Sequence, residues 1–182
     1  MEKEPDLELV ERWRGGDPGA FTALVKRYHR PIYNAAFRVL GNVDDASDIT
    51  QAVFLKVADR LDEYDSRHRF FSWIFRIALN ESLNLRRRNR RDEPAEEAPE
   101  MPGPEDADPE RQASAAQESG RIQRALMEMK IDDRAVITLR HFSDCSYREM
   151  AAILGLEEKT VKSRLFEARQ RLRELLKDLA PA

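Results

Sequence analysis

Residues 146–173, SYREMAAILGLEEKTVKSRLFEARQRLR, decide the fold of the C-terminal part of the chain. Ser146 and Glu149 have the spacing of a capping box, in which each side chain bonds to the backbone of the other residue at the start of a helix. Gly155 supplies a tight turn, and a long amphipathic helix begins two or three residues later. A short helix, a turn with glycine and a second helix together form a helix-turn-helix pattern.

The apolar and polar residues of this pattern fall on different faces. Apolar residues stand where the two helices must cross and pack, at Met150, Ala151, Leu154, Leu156, Val161 and Leu165. The other face of the second helix suits a DNA major groove, with lysine on phosphates and Ser, Thr and Phe on base edges. This face carries Lys159, Thr160, Lys162, Ser163 and Phe166. An ordinary pair of packed helices is the alternative, but the capping box, glycine turn and basic face together favour DNA binding.

A second stretch, RFFSWIFRIALNESLNLRRRNRR at 69–91, places aromatic residues beside a run of arginines. At 100° per residue, Ile74, Phe75, Ala78 and Leu85 lie opposite a polar stripe. Trp73 falls inside that stripe, where an indole beside arginine and asparagine suits stacking on an unpaired base. A half-buried tryptophan packed under the preceding loop is the alternative. The arginines favour phosphate contacts, with a solvated basic tail as the alternative. The polar stripe consists of Arg76, Asn80, Asn84 and Arg87.

Charge is distributed unevenly along the 182 residues, whose net charge is −3. The segment 93–118 contains nine acidic residues, one basic residue and five of the nine prolines, so its net charge is −8. The other residues include 30 basic and 25 acidic ones, a net charge of +5. An acidic segment with few large apolar residues cannot bury enough surface to offset its ordering entropy. We therefore expect a flexible acidic linker at 93–118 between two basic domains, 1–92 and 119–182.

Both domains are expected to be small and all-helical, because glycine is scarce and the alternating pattern of strands is absent. In the first domain, Asp6 is expected to cap one helix, and an Asp-Pro pair at 17–18 starts a second helix that Gly41 ends. Asp44 or Asp45 is expected to cap a third helix. Its apolar stripe consists of Ala46, Ile49, Val53, Val57 and Leu61.

Several classes of function find no support in the sequence. No stretch of about 18 apolar residues lacks a charge, and the N-terminus is acidic, so a cytoplasmic protein without membrane span or signal peptide is expected. Cys145, the single cysteine, cannot form an intramolecular disulfide. Asp44, Asp45 and Asp48 suggest the metal site of a nuclease, but acidic residues are also expected in a first helical turn because of the helix dipole. We predict no catalytic residue, no metal and no cofactor.

The two stretches together carry a resemblance to a known family. Residues 44–88, DDASDITQAVFLKVADRLDEYDSRHRFFSWIFRIALNESLNLRRR, resemble region 2 of bacterial sigma factors, and residues 146–173 resemble region 4. With only these two domains and a linker, the chain is similar to the extracytoplasmic-function group of the sigma-70 family. The resemblance implies a dissociable subunit of core RNA polymerase that recognises and opens promoter DNA. It also implies a response to stress or envelope signals and control by an anti-sigma factor.

The resemblance implies a role for three groups of residues. The core polymerase would be contacted by Asp48, Gln51, Phe54 and Leu55. The −10 element, with one base flipped out of the duplex, would be bound by Arg67, Arg69, Trp73, Arg76, Asn80, Asn84, Arg87 and Arg88. The −35 element would be read as duplex by Arg148, Lys159, Thr160, Lys162, Ser163, Arg164, Phe166 and Glu167. Glu167 departs from the basic residue common at this position, and its carboxylate suits a cytosine amino group.

Two other functions remain open on the sequence alone. A free-standing transcriptional regulator would use the helix-turn-helix to bind duplex DNA without polymerase, although the aromatic and arginine-rich helix would then be unexplained. A metal-dependent nuclease would need the acidic cluster near Asp48. In the sigma factor hypothesis, phosphate contacts give affinity and base contacts give promoter choice. Capture of an unpaired base offsets the cost of unstacking, so opening needs no covalent chemistry.

Overall fold

The computed structural model describes residues 4–89 and 109–178, and all regular structure in these ranges is helical. This confirms the all-helical prediction. None of the described helices is long and apolar enough to cross a membrane. In chain order, the described residues form α1 (Asp6–Arg14), α2 (Pro18–Leu40), α3 (Val43–Asp59), a 3₁₀ turn (Leu61–Glu63), α4 (Phe70–Asn89), α5 (Pro109–Met127), α6 (Ile131–His141), α7 (Tyr147–Leu154) and α8 (Glu158–Asp178).

The ends of α2 follow the sequence signals. Asp17 caps the helix, because its carboxylate accepts a hydrogen bond from the backbone N–H of Gly19 at 2.8 Å. Pro18 occupies the first helical position, where a missing N–H costs nothing. Gly41 ends the helix with a φ of 81°, a left-handed conformation that residues with a Cβ rarely adopt. Both predicted ends of α2 are confirmed.

Two predicted helix caps are wrong. Asn42 caps α3, since its side-chain oxygen accepts a hydrogen bond from the N–H of Asp45 at 2.9 Å. Asp44 and Asp45 lie within the first turn, where their charge favours the positive end of the helix dipole. Asp6 is the first residue of α1, and its carboxylate accepts hydrogen bonds from Tyr28 and a neighbouring arginine of α2. Asp6 therefore ties α1 to α2.

The core of the N-terminal half forms between α2, α3 and α4. All five residues of the predicted stripe are buried, four of them on α3 and Leu61 in the 3₁₀ turn that follows it. The apolar face of α4 packs onto this stripe, which confirms that most of the aromatic richness near residue 70 belongs to the core. The buried residues of α4 include Phe70, Ile74, Phe75, Ala78 and Leu79.

The C-terminal half contains the predicted helix-turn-helix in α7 and α8. The capping box is complete: Glu149 N donates to Ser146 Oγ at 3.2 Å, and Ser146 N donates to the Glu149 carboxylate at 2.9 Å. Gly155 ends α7 with a φ of 65°. Met150, Val161 and Leu165 are buried where the two helices meet, while the other three apolar positions of the motif are partly buried.

The predicted linker is corrected at its C-terminal end. Helix α5 begins at Pro109, so residues 109–118 are helical rather than a flexible connection. Proline is accepted at the start of a helix because the first N–H groups have no intrahelical partner. The rest of the predicted linker, 93–108, lies outside the described residues.

The two halves pack against each other, which the sequence did not predict. Helix α4 packs against α7, and the C-terminal end of α2 packs against α5 and α6. The last carbonyls of a helix have no intrahelical N–H partner. On α2, Val39 O accepts from Arg134 Nη1 of the other half at 3.0 Å. Phe37 O, which already accepts from Gly41 N at 2.7 Å, accepts a second hydrogen bond from Gln123 Nε2 at 3.1 Å. Polar contacts therefore fix this end of α2.

Candidate nucleic-acid interface

The polar stripe predicted on α4 is at the surface. Its side chains are exposed along the helix, while the opposite face is buried in the core. The stripe presents cations and amide groups over several helical turns, a combination suited to phosphates and to the edges of unpaired bases. All four stripe residues, Arg76, Asn80, Asn84 and Arg87, are exposed, and so is Arg88 next to them.

Trp73 lies at the boundary between the core and this stripe. The indole is half-buried, with its ring centroid 5.2 Å from that of Tyr64 and 5.7 Å from that of Phe70. It also lines the cleft between α4 and α7. The indole therefore packs against Tyr64 of the preceding turn and also borders this cleft, and its stacking on an unpaired base stays a prediction.

The segment 65–69 connects the 3₁₀ turn to α4. Asp65 accepts hydrogen bonds from the Arg67 side chain, the shortest at 2.6 Å. These bonds lower the pKa of Asp65 to about 2, so its carboxylate stays ionised and holds the arginine. Arg67 is nonetheless 86% exposed at its side chain, so its guanidinium has unoccupied donors. At the other end of the segment, Arg69 forms an ion pair with Glu149 of α7.

A cleft of about 820 Å³ separates α4 and its preceding segment from α7. Predicted −10 residues line one wall, and Arg148, a predicted −35 residue, lies on the other. The sequence assigned these residues to separate surfaces, whereas the structure places them across one basic cleft. The lining residues are Arg67, His68, Arg69, Ser72, Trp73, Arg76, Ser146, Arg148, Glu149 and Ala152.

The predicted reading face of α8 points outward. Phe166 is 64% exposed, far more than a phenylalanine needed for folding would be. The ammonium group of Lys162 lies 5.3 Å from the centroid of the Tyr147 ring, so α7 helps to orient a side chain of α8. Arg164 is partly buried. The exposed residues are Lys159, Thr160, Lys162, Ser163, Phe166 and Glu167.

The outer face of α3 carries three of the four predicted polymerase contacts. Leu55 is 68% exposed, and Asp48 and Gln51 are exposed beside it. Phe54, the fourth, is only 9% exposed, and its ring stacks parallel to that of His29 at a centroid distance of 6.4 Å. Phe54 therefore belongs mainly to the core and supports this face from below.

The acidic cluster at the start of α3 does not form a metal site. Within the described parts of the chain, no group of His, Cys, Asp and Glu side chains is arranged to hold a metal ion. Burial, together with the neighbouring charges of Asp48 and Asp44, raises the pKa of Asp45. The Cys145 thiol is buried, and this burial raises its pKa to about 12, which makes it unreactive.

Sequence reasoning missed Arg14 and Tyr64. Neither residue was assigned a role from the sequence. In the structure, Arg14 donates hydrogen bonds to the backbone around Tyr64, and Tyr64 is buried against Trp73. An aromatic residue between acidic neighbours in DEYDSRHR was the one available signal, since turns rarely need a tyrosine.

Comparison with known proteins assigns the two halves. The model for Sigma-70 region 2 matches residues 24–92, and the model for Sigma-70, region 4 matches residues 119–172. The ECF RNA polymerase sigma factor SigW of Bacillus subtilis is 31% identical over 181 residues, covering 93% of this chain and 96% of SigW. The region 2 match accounts for the aromatic and arginine-rich helix.

Two solved structures have the same fold as this chain. CnrH in complex with the cytosolic domain of CnrY superposes with a TM-score of 0.75 at 28% identity, covering 96% of this chain and 99% of CnrH. The sigma factor RpoE in complex with the anti-sigma factor NepR from Bartonella quintana gives a TM-score of 0.68 at 26% identity, covering 86% and 96% of the two chains. The helical bundle, the helix-turn-helix and these matches show that the chain belongs to the sigma-70 family of RNA polymerase sigma factors, in its extracytoplasmic-function group.

Proposed function

We propose that this sigma factor binds the −10 element through segment 65–69 and the exposed stripe of α4, and the −35 element through the exposed face of α8. The observation that carries the proposal is the exposure of both basic faces on helices whose opposite sides pack against the core. A rigid helix with a buried back holds its base-contacting side chains in fixed register. Residues 1–92 and 119–182 are the corresponding functional domains.

Promoter opening is assigned to Trp73 and the amide groups of α4. An unpaired non-template base would stack on the accessible part of the indole, while Asn80 or Asn84 binds its edge. Stacking on an aromatic side chain stabilises a base by about 1–3 kcal/mol, comparable to the cost of unstacking it. Strand opening thus proceeds without covalent chemistry, and we assign the protein no enzymatic activity, catalytic residue or cofactor.

Promoter choice at the −35 element is assigned to α8. Ser163 and Phe166 are exposed at the centre of the face, where a hydroxyl and an apolar ring suit base edges and thymine methyl groups. The lysines and Arg148 contact phosphates and supply affinity. Glu167 accepts a hydrogen bond from a cytosine amino group, so the −35 sequence differs from that of relatives with a basic residue here.

The polymerase contact is assigned to the outer face of α3. Leu55 is apolar and exposed between polar residues, the pattern of a small interface with a polar rim. Asp48 and Gln51 form that rim, and the partly exposed edge of Phe54 extends it. This face lies on a different helix from the stripe of α4, so the proposal assigns polymerase and −10 DNA to separate residues.

Control by an anti-sigma factor follows from the compact arrangement. Predicted −10 residues and Arg148 face each other across one cleft, so contacts that hold the two halves together would restrict the access of promoter DNA to the cleft. The related RpoE has been captured with the anti-sigma factor NepR. An inhibitor of this kind would act by holding the halves together. We place the protein in the cytoplasm, where it responds to stress or envelope signals through such an inhibitor.

Transcription in vitro tests these roles. The purified chain is mixed with core RNA polymerase and fragmented genomic DNA, and transcript 5′ ends are mapped to find the shared upstream elements. Ser163→Ala should alter the preferred −35 sequence, and Asn84→Ala the −10 sequence, while affinity for core polymerase stays unchanged. Loss of polymerase binding in either variant, or a −10 change caused by Ser163→Ala, would contradict the assignment of the two faces.

A further inference from the structure

Arg14, the last residue of α1, reaches the turn that follows α3. Its Nη2 donates to Leu61 O at 3.0 Å and to Tyr64 O at 2.7 Å. Its guanidinium carbon also lies 5.8 Å from the centroid of the Tyr64 ring. These contacts join residues that are 47 and 50 positions apart in sequence. Arg14 therefore fixes the backbone at which segment 65–69 begins.

Tyr64 connects that point to the other end of the segment. Its hydroxyl donates to His68 O at 2.6 Å, one residue before Arg69. Its ring is 5% exposed, stands edge-on to Phe70 at 5.4 Å, and lies 5.2 Å from Trp73. One side chain thus holds the segment at both ends and supports the indole assigned to base capture.

Arg14 is not needed to hold α1 on the bundle. Leu9 and Val10 are buried, and Trp13 stacks on Phe21 of α2 at a centroid distance of 4.4 Å. The carboxylate of Asp6 adds hydrogen bonds to α2. Helix α1 is therefore anchored by other contacts, and the contacts of Arg14 act on the turn and on Tyr64.

We propose that Arg14 is a positioning residue for −10 recognition, acting through Tyr64 to hold segment 65–69 and Trp73 in the geometry that captures the unpaired base. This inference rests on the proposed role of segment 65–69 and α4. The charged guanidinium of Arg14 makes strong hydrogen bonds to the carbonyls of Leu61 and Tyr64. Without these bonds, the turn that precedes segment 65–69 becomes more mobile. The polymerase face on α3 and the reading face on α8 receive no contact from Arg14 among those described and should be unaffected.

The test compares holoenzymes that contain Arg14→Ala, Arg14→Lys, Tyr64→Phe or the control Arg12→Ala. Arg12 lies on the same helix and is exposed, but its ion pairs are with Glu4 and Asp17, away from Tyr64. Strand opening is followed by permanganate reactivity on a duplex promoter, and −10 preference by competition among promoters that differ at single −10 positions. Core polymerase affinity and thermal unfolding are measured for every variant.

Arg14→Ala removes both hydrogen bonds to the turn, so it should slow opening by about 10-fold or more and reduce the discrimination among −10 sequences. Tyr64→Phe should affect the same −10 positions, Arg14→Lys should restore part of the preference, and Arg12→Ala should behave as wild type. A fall in core affinity and unfolding temperature with unchanged −10 preference would show a merely structural role and overturn the inference.

A variant in the direct contacts separates this inference from the function on which it rests. Asn84→Ala removes an amide assigned to the −10 element itself. If Asn84→Ala alters −10 preference and Arg14→Ala does not, the role of Arg14 is refuted and the proposed interface stands. If neither changes it, the proposed −10 interface fails.

Discussion

Arg69, in the segment before α4, donates a hydrogen bond to the carboxylate of Glu149, the residue that completes the capping box of α7. The pair joins a residue assigned to the −10 element to the helix-turn-helix assigned to the −35 element. Arg69 is 72% exposed at its side chain, whereas Glu149 is 16% exposed. An ion pair with one exposed partner contributes at most about 1 kcal/mol and is weakened by salt. Such a contact can be broken when DNA is bound.

Loss of this ion pair should loosen the compact arrangement. Arg69→Gln should increase the mean distance between fluorophores placed on the two halves. It should also remove most of the salt dependence of that distance, because the ion pair that salt screens in the wild type is absent. Arg67→Gln is the matched control, since Arg67 pairs with Asp65 inside the same segment. An equal change in both variants would contradict a specific role for the contact with Glu149.

Acid should weaken the capping box. Burial raises the pKa of Glu149, but hydrogen bonds from Ser146 and the pairing with Arg69 outweigh it, so the pKa lies below the ordinary value of 4.5. A carboxylate with a lowered folded-state pKa stabilises the fold fully above its unfolded pKa, and this contribution is lost as pH falls through the folded-state pKa. The difference in unfolding free energy between wild type and Glu149→Gln should therefore be largest above pH 4.5 and shrink below it. Urea unfolding at a series of pH values measures the difference, and a pH-independent difference would refute it.

Arg134 should be important for stability although it has no assigned role in DNA binding. The side chain is 6% exposed and donates to Met129 O, Val39 O and Met127 O at 2.7 to 3.0 Å. Arg134→Met would leave buried carbonyls without donors, which should lower the unfolding free energy by about 3 kcal/mol. Arg124→Ala, at an exposed position of α5, should change it by less than about 0.5 kcal/mol. Urea denaturation followed by circular dichroism measures both, and equal losses would contradict the prediction.

Replacement of Trp73 should affect strand opening more than duplex binding. Trp73→Ala removes the surface on which a flipped base would stack, a loss of about 1–3 kcal/mol at the opening step. Permanganate reactivity over the −10 element should therefore fall, while gel-shift affinity of the holoenzyme for the closed duplex promoter stays close to wild type. A promoter with a mismatched −10 region is the control. Because its strands are already open, the variant should recover part of its activity on this promoter. Unchanged permanganate reactivity would contradict base stacking and show that Trp73 serves only in the core.

Local signals predicted the helices well, because caps and apolar spacing act within a few residues. The helix-end signals depend only on neighbouring residues in the sequence. The ends marked by Asp17, Gly41 and the Ser146–Glu149 box each lie where the sequence predicted them. Asn42 was missed as a cap because the two acidic residues just after it, Asp44 and Asp45, were equally suitable candidates. Residues 109–118 were read as linker because composition describes a whole segment and not the point at which a helix begins.

The sequence by itself determined the helical fold, the helix-turn-helix and the two basic faces, since periodicity decides which side chains are buried and which are exposed. The tertiary structure alone decided which distant residues meet. It joined Arg14 to Tyr64, Arg134 to Val39 and Arg69 to Glu149. These contacts satisfy carbonyls and charges at the ends of helices and in turns, and no sequence spacing encodes them. For that reason the composition of each face could be predicted, but not the way in which the two halves cover each other.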